Sequence, residues 1–105
     1  MIYLSSPYTH SDPWEVQRRV LATKQALAHL LEKGEFVYSP IVMCHAVANI
    51  HSLPTDHTFW LRFDFHMIEK CDEFAILRID GWEKSRGMQA EYHHAVRLGK
   101  KITYI

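Results

Sequence analysis

The sequence predicts an α/β domain: a doubly wound parallel sheet of about four to five strands with helices on both faces. Three observations predict it. Short apolar runs rich in β-branched and aromatic residues, "MIYLS", "EFVYSP", "EFAILRI" and "KITYI", recur without strict polar alternation, as strands buried on both faces do. Segments of helical periodicity separate these runs, so the order β-α-β-(α)-α-β-α-β requires crossover connections between parallel strands. The length, 105 residues at 48% hydrophobic content, suits one compact domain spanning residues 1–105.

Each element has a local reason. Residues 1–5 form the first strand, which Ser6-Pro7 ends. After the loop "SPYTHS", Asp12 can cap a helix, with Pro13 at its first position and Glu15 completing a capping box. Val16, Val20, Leu27, Leu30 and Leu31 recur at helical spacing until Gly34 stops the helix. "EFVYSP" is the second strand, closed by Pro40, and a short helix over 41–49 follows. Asp56 can cap a third helix over about 57–70. "EFAILRI" is the clearest strand, and Asp80-Gly81 ends it. A last helix over about 85–98 stops at Gly99, and "KITYI" is the final strand. No repeat, low-complexity segment or linker interrupts this order, which is Rossmann/flavodoxin-like.

Charge and composition narrow the partners. Twelve basic and twelve acidic side chains balance, so no broad electrostatic footprint for duplex nucleic acid or an anionic membrane exists, and a small molecule is the expected partner. Cys44 and Cys71 lie far apart with no CxxC spacing, which fits a reducing, cytoplasmic setting better than a disulfide framework. The start "MIYLSSPY" has no basic n-region or long apolar stretch, and nothing approaches the ~20 apolar residues of a membrane span. His45, His51 and His57 recur every six residues, a spacing that does not stack ligands on one helix face. No metal and no cofactor are expected.

Open parallel sheets bind ligands beyond the carboxyl ends of their strands, where the strand order reverses. That rule selects the loops after strands one and three, "SSPYTH" and "DGWEKSRG". Ser5, Ser6 and Tyr8 in the first, and Trp82, Ser85, Arg86 and Gly87 in the second, are the candidate binding residues. Ser85 and the N–H groups of residues 86–88 open a helix, where unpaired donors and the helix dipole favour an anion such as phosphate. Simple capping by Ser85 is the competing explanation, and one residue can do both. Trp82 can stack on a base or cover a core edge, and Tyr8 and His10 can line a pocket or be ordinary loop surface.

Two carboxylates break the apolar pattern. At about 100° per residue, Asp64 falls between Trp60, Met67, Ile68 and Cys71 in the middle of an apolar stripe. Glu91 lies beside Met88, Tyr92 and Ala95 on the core-facing side of the last helix. Either acid alone has a structural explanation. Together, on two helices flanking the strand that ends at the expected site, they suit glycosidic bond chemistry, which needs paired carboxylates.

"IYLSSPY", Asp64 ahead of "CDEFAIL", and "SRGMQAE" together resemble the nucleoside 2-deoxyribosyltransferase superfamily, including the deoxynucleoside 5'-monophosphate N-glycosidases. The resemblance implies that Glu91 is the catalytic nucleophile, Asp64 the acid assisting the leaving base and Tyr3 the tyrosine orienting the Glu. Asp72 matches an acid that opens the central strand and is structural. Six residues before the Glu, members acting on nucleosides carry Asp and those acting on 5'-monophosphates carry Ser; this chain has Ser85, with Arg86 or Lys84 as further phosphate contacts. The implied activity is base–sugar bond cleavage, by hydrolysis or deoxyribosyl transfer.

The chain departs from that pattern at Gln89, where the family commonly has glycine, and at Tyr92-His93-His94, where it has small residues. Gln89 is expected to narrow the sugar site. Without a segment after "KITYI" of the kind transferases lend to a neighbouring site, transfer is disfavoured. These departures motivate an alternative, a non-catalytic nucleotide-binding module, and NAD glycohydrolysis by the same acid is a third reading. Trp60, Phe63 and Phe65 spread around one helix, more aromatic surface than a small core hides, so a homo-oligomer is expected.

Overall fold

The computed structural model describes residues 1–48, 50, 53 and 57–105; Asp56 and His51 lie outside them, as does the side chain of His57. Four parallel strands form the sheet: β1 (Ile2–Ser5), β2 (Val37–Tyr38), β3 (Glu73–Ile76) and β4 (Lys101–Tyr104), in the order β2-β1-β3-β4. The α-helices are α1 (Pro13–Glu32), α2 (Pro40–Ala48), α3 (His57–Lys70) and α4 (Arg86–Arg97). The predicted doubly wound α/β architecture is the observed one.

Side chains of successive strand residues point to opposite faces, and the two faces of this sheet build two cores. On one, Leu4, Ala75 and Leu77 pack with Ala26, Leu27 and Leu30 of α1. On the other, Tyr3, Phe74 and Ile76 pack with Ile68 of α3, with Cys71 just after that helix, and with Met88 and Ala95 of α4. Strand order reverses between β1 and β3, whose register pairs Tyr3 with Phe74 and Ser5 with Ile76. In such sheets ligands bind beyond the strand ends at this reversal, which here is the region beyond Ser5 and Ile76.

Local details differ from the sequence reading where hydrogen bonding decides. Pro40, expected to close the second strand, is the first residue of α2, because Ser39 caps that helix by accepting from the Val42 N–H at 3.3 Å. Asp12 does cap α1, accepting from the Trp14 N–H at 2.9 Å, but Glu15 pairs with Arg18 and completes no capping box. Leu31 faces water at 50% exposure. The strand "EFAILRI" is regular only over Glu73–Ile76, although ladder-like bonds continue from Leu77 N–H to Ser5 O and from Arg78 N–H to Ile105 O, both 2.9 Å. Asp72, just ahead of β3, accepts from the Met1 α-amino group at 2.7 Å, which agrees with a structural role. Among the described residues, no helix is long and apolar enough to cross a membrane.

Candidate active site

Tyr3 and Ser5 are two residues apart on β1, so both side chains leave the same face of the sheet. That face is covered by α3 and α4. Glu91 lies on the inner stripe of α4 with Met88 and Ala95, and both of its carboxylate oxygens are held from below. The Tyr3 hydroxyl donates to Glu91 Oε2 at 2.8 Å, and the Ser5 hydroxyl donates to Oε1 at 2.7 Å. Tyr3 is in turn stacked on Phe74 at 5.6 Å and 8° between ring planes, which fixes the direction of its hydroxyl. Asp64 reaches the same point from α3. Exposure is 0% for Tyr3 and Ser5, 6% for Glu91 and 9% for Asp64.

The remaining candidates lie in the loops after β1 and β3 and at the start of α4. Ser6 is buried, and its hydroxyl has no hydrogen-bond partner among the described residues. Tyr8 is half-buried and its hydroxyl is bonded to His45 Nδ1 on α2 at 2.7 Å. Ser85 is the N-cap of α4, accepting from the Met88 N–H at 3.3 Å; its own hydroxyl hydrogen is uncommitted by that bond. Arg86 is exposed at the first position of α4 and Gly87 half-buried at the second. Trp82 sits in a short 3-10 turn, Trp82–Lys84, and packs on the core edge against Tyr104, 6.3 Å between ring centroids. There it lines a cavity of about 150 Å³ with Met88, Tyr92 and Tyr104, to which neither Asp64 nor Glu91 contributes. A second concavity, bounded by Trp14 and Arg18, lies on α1 away from the acids.

The Gln89 amide donates to the Glu83 carbonyl at 3.0 Å, and its side chain lines the same cavity as Trp82, Met88 and Tyr92. The bulky residues after Glu91 are each accommodated. Tyr92 packs on the core, His93 is exposed, and His94 stacks on Phe65 at 4.1 Å.

Residues 1–105, the whole chain, match the family described as "Domain of unknown function (DUF1937)". The chain belongs to that family. No curated protein matches it significantly. The chemistry of this DUF1937 site therefore has to be argued from its own electrostatics.

Burial first, then the negative charge of Glu91 and the hydrogen bond between the two side chains, push the Asp64 carboxyl up to about 9. At neutral pH it holds a proton in the site. Tyr3 is held well above its ordinary range, chiefly by burial and then by the charges of Glu91 and Asp64, so it remains a neutral donor.

Sequence reasoning missed two members of the DUF1937 site. Tyr38 of β2 lies in register with Tyr3, 5.9 Å between ring centroids, and burial followed by Cys44, Asp64, Cys71 and Glu91 raises its hydroxyl. Cys44 of α2 is pushed up to about 12 by burial and then by the same two acids, which leaves a neutral thiol rather than a nucleophile. No signal in the sequence could bring them here, because β2 and α2 reach the site only through the strand order. Among the described residues, no three His, Cys, Asp or Glu side chains cluster to hold a metal ion; the reading of His51 and His57 as ligands lies outside the described residues.

Proposed function

We propose that this protein is an N-glycosidase that cleaves the base–sugar bond of a (deoxy)nucleoside 5'-monophosphate, in the manner of the nucleoside 2-deoxyribosyltransferase superfamily. One observation carries the reading: a buried glutamate, both oxygens held by hydroxyls, faces a second buried carboxyl that keeps its proton at neutral pH. A carboxyl raised by burial beside a glutamate that accepts two hydroxyls divides acid from nucleophile.

In this reaction a Glu91 oxygen bonds to C1' as the C1'–N bond breaks, and the Asp64 proton passes to the departing base. Asp64, now ionised, takes a proton from water, which attacks C1' and releases Glu91 and the sugar phosphate. Two displacements retain the configuration at C1'. Incubating the protein with deoxynucleotides, ribonucleotides, nucleosides and NAD, and measuring free base, tests the reading; no release from any of them rejects it.

Ser85 reads the phosphate. Ser85→Asp places a negative charge where the phosphate sits yet keeps a good N-cap for α4. The variant is expected to lose about 1.5 to 3 kcal/mol of affinity for 5'-monophosphates and to bind the matching nucleosides almost unchanged. Equal losses for both ligands in calorimetry mean that the turn does not read phosphate.

The protein also self-associates in this reading. α3 leaves Phe59 41% and Phe63 38% exposed, and α2 leaves Met43 and Val47 similarly uncovered, apolar side chains that a second copy would cover. Light scattering at micromolar concentration is expected to give a dimer or larger assembly, and a monomer contradicts it.

A further inference from the structure

The loops after β1 and β3 are bridged by a side chain that belongs to neither. Arg19, in the second turn of α1, donates from Nη1 to the carbonyl oxygen of Thr9 at 2.8 Å. Its Nη2 lies against the backbone of Gly81, where any Cβ would collide with it. Gly81 also has φ of 90°, a left-handed conformation that favours glycine, so a side chain there would be strained and would displace the guanidinium.

The charge of Arg19 is uncompensated among the described residues. An arginine stays protonated at any pH proteins meet, and its usual helical partner would be an acid one turn earlier. Glu15 occupies that position and pairs with Arg18 instead. Among the described residues, no carboxylate lies within ion-pair distance of Arg19, and its Nε is buried without a hydrogen-bond partner. The two Nη groups carry four N–H donors, and the bond to Thr9 uses one of them. A second unsatisfied group stands at the same edge of the sheet: the hydroxyl of Ser6, which is only 5% exposed and directly follows β1.

We propose that Arg19 is an anion receptor that supplies the positive charge for the phosphate of the nucleotide. The inference rests on the glycosidase reading for the identity of that anion. A planar fork of N–H donors matches phosphate oxygens better than a point charge does, and the guanidinium stands between the two loops that flank the reversal of strand order. Ser85 directly follows the Trp82–Lys84 turn that begins beside Gly81.

Calorimetry on the full chain with inorganic phosphate, a deoxynucleoside 5'-monophosphate and the matching nucleoside tests this. Arg19→Gln is expected to weaken the monophosphate roughly 10- to 100-fold, abolish binding of inorganic phosphate, and leave the nucleoside within about twofold. Arg19→Lys should fall between, since it keeps the charge and loses the fork. An unchanged monophosphate-to-nucleoside ratio overturns the proposal, and equal weakening of both ligands overturns it in favour of a plain loop brace. If Arg19→Gln does not fold, the Arg19 Nε–H resonance of the wild-type protein decides: it should shift on addition of inorganic phosphate, and no shift overturns the proposal. Binding needs no turnover, so the two readings separate. Arg19-dependent phosphate binding without base release leaves the receptor standing and rejects the glycosidase; base release with phosphate preference intact in Arg19→Gln does the reverse.

Discussion

Glu91→Gln is expected to lower base release by roughly three to six orders of magnitude, the loss seen when a covalent nucleophile is removed. An amide of the same shape cannot attack C1', yet it leaves the site folded. The Tyr3 and Ser5 hydroxyls that now donate to Glu91 at 2.8 and 2.7 Å can rotate, one still donating to the amide oxygen and the other accepting from its nitrogen. Nucleotide binding should therefore survive. Glu91→Ala is the less clean variant, because it strands two buried hydroxyls at about 1–3 kcal/mol each. Chromatography of released base, beside thermal melts of both variants, makes the comparison. Wild-type rates in a folded Glu91→Gln would remove Glu91 from the chemistry altogether.

The second large effect is on stability and comes from Asp64. Its carboxyl is raised in the folded protein to about 9 from an ordinary value of 3.8, so the folded state binds a proton that the unfolded chain releases. The stability this proton contributes is complete below about pH 4, falls by about 1.4 kcal/mol per pH unit above it, and is lost as pH passes through about 9. At pH 7 the accumulated loss is at most about 4 kcal/mol, less whatever the interaction with Glu91 returns. Asp64→Asn can still donate to Glu91 and has no proton to lose. It is expected to be more stable than wild type at pH 7 by about 1 to 3 kcal/mol, with a melting temperature higher by at least about 5 °C, and to have a flatter stability profile between about pH 4 and 9. Base release should fall in the same variant, since the leaving base loses its acid. Calorimetric melts across pH test the sign: a destabilised Asp64→Asn with an unchanged profile means that Asp64 is not held protonated.

A stabilising substitution at Asp64 is what a buried acid predicts when burial penalises its ionised form. The same reasoning makes Asp64 visible in the sequence: the helical period alone puts an acid in the middle of the apolar stripe of "WLRFDFHMIEKC", where a solvated side chain does not belong. Glu91 is visible for the same reason. Ser85 is visible as a cap because capping is local, a matter of one side chain and the next three residues.

What the sequence by itself determined is of that kind. Apolar runs of strand length, helical periodicity and start and stop residues depend on neighbours within a turn or two, so the order of elements and the α/β class follow from reading along the chain. Alternation along β1 is equally local and already aligned Tyr3 with Ser5.

Tertiary structure decided what those side chains meet. The order β2-β1-β3-β4 sets Tyr38 and Cys44 beside the acids and lets β1 deliver two hydroxyls to Glu91 across 88 and 86 residues of sequence. It turned the Ser5 hydroxyl onto Glu91, tied the Gln89 amide to the Glu83 carbonyl, and brought Arg19 of α1 against Gly81. None of these follows from pattern, because each depends on which strand lies next to which, a choice made by the burial of two whole sheet faces and not by any residue's own neighbours.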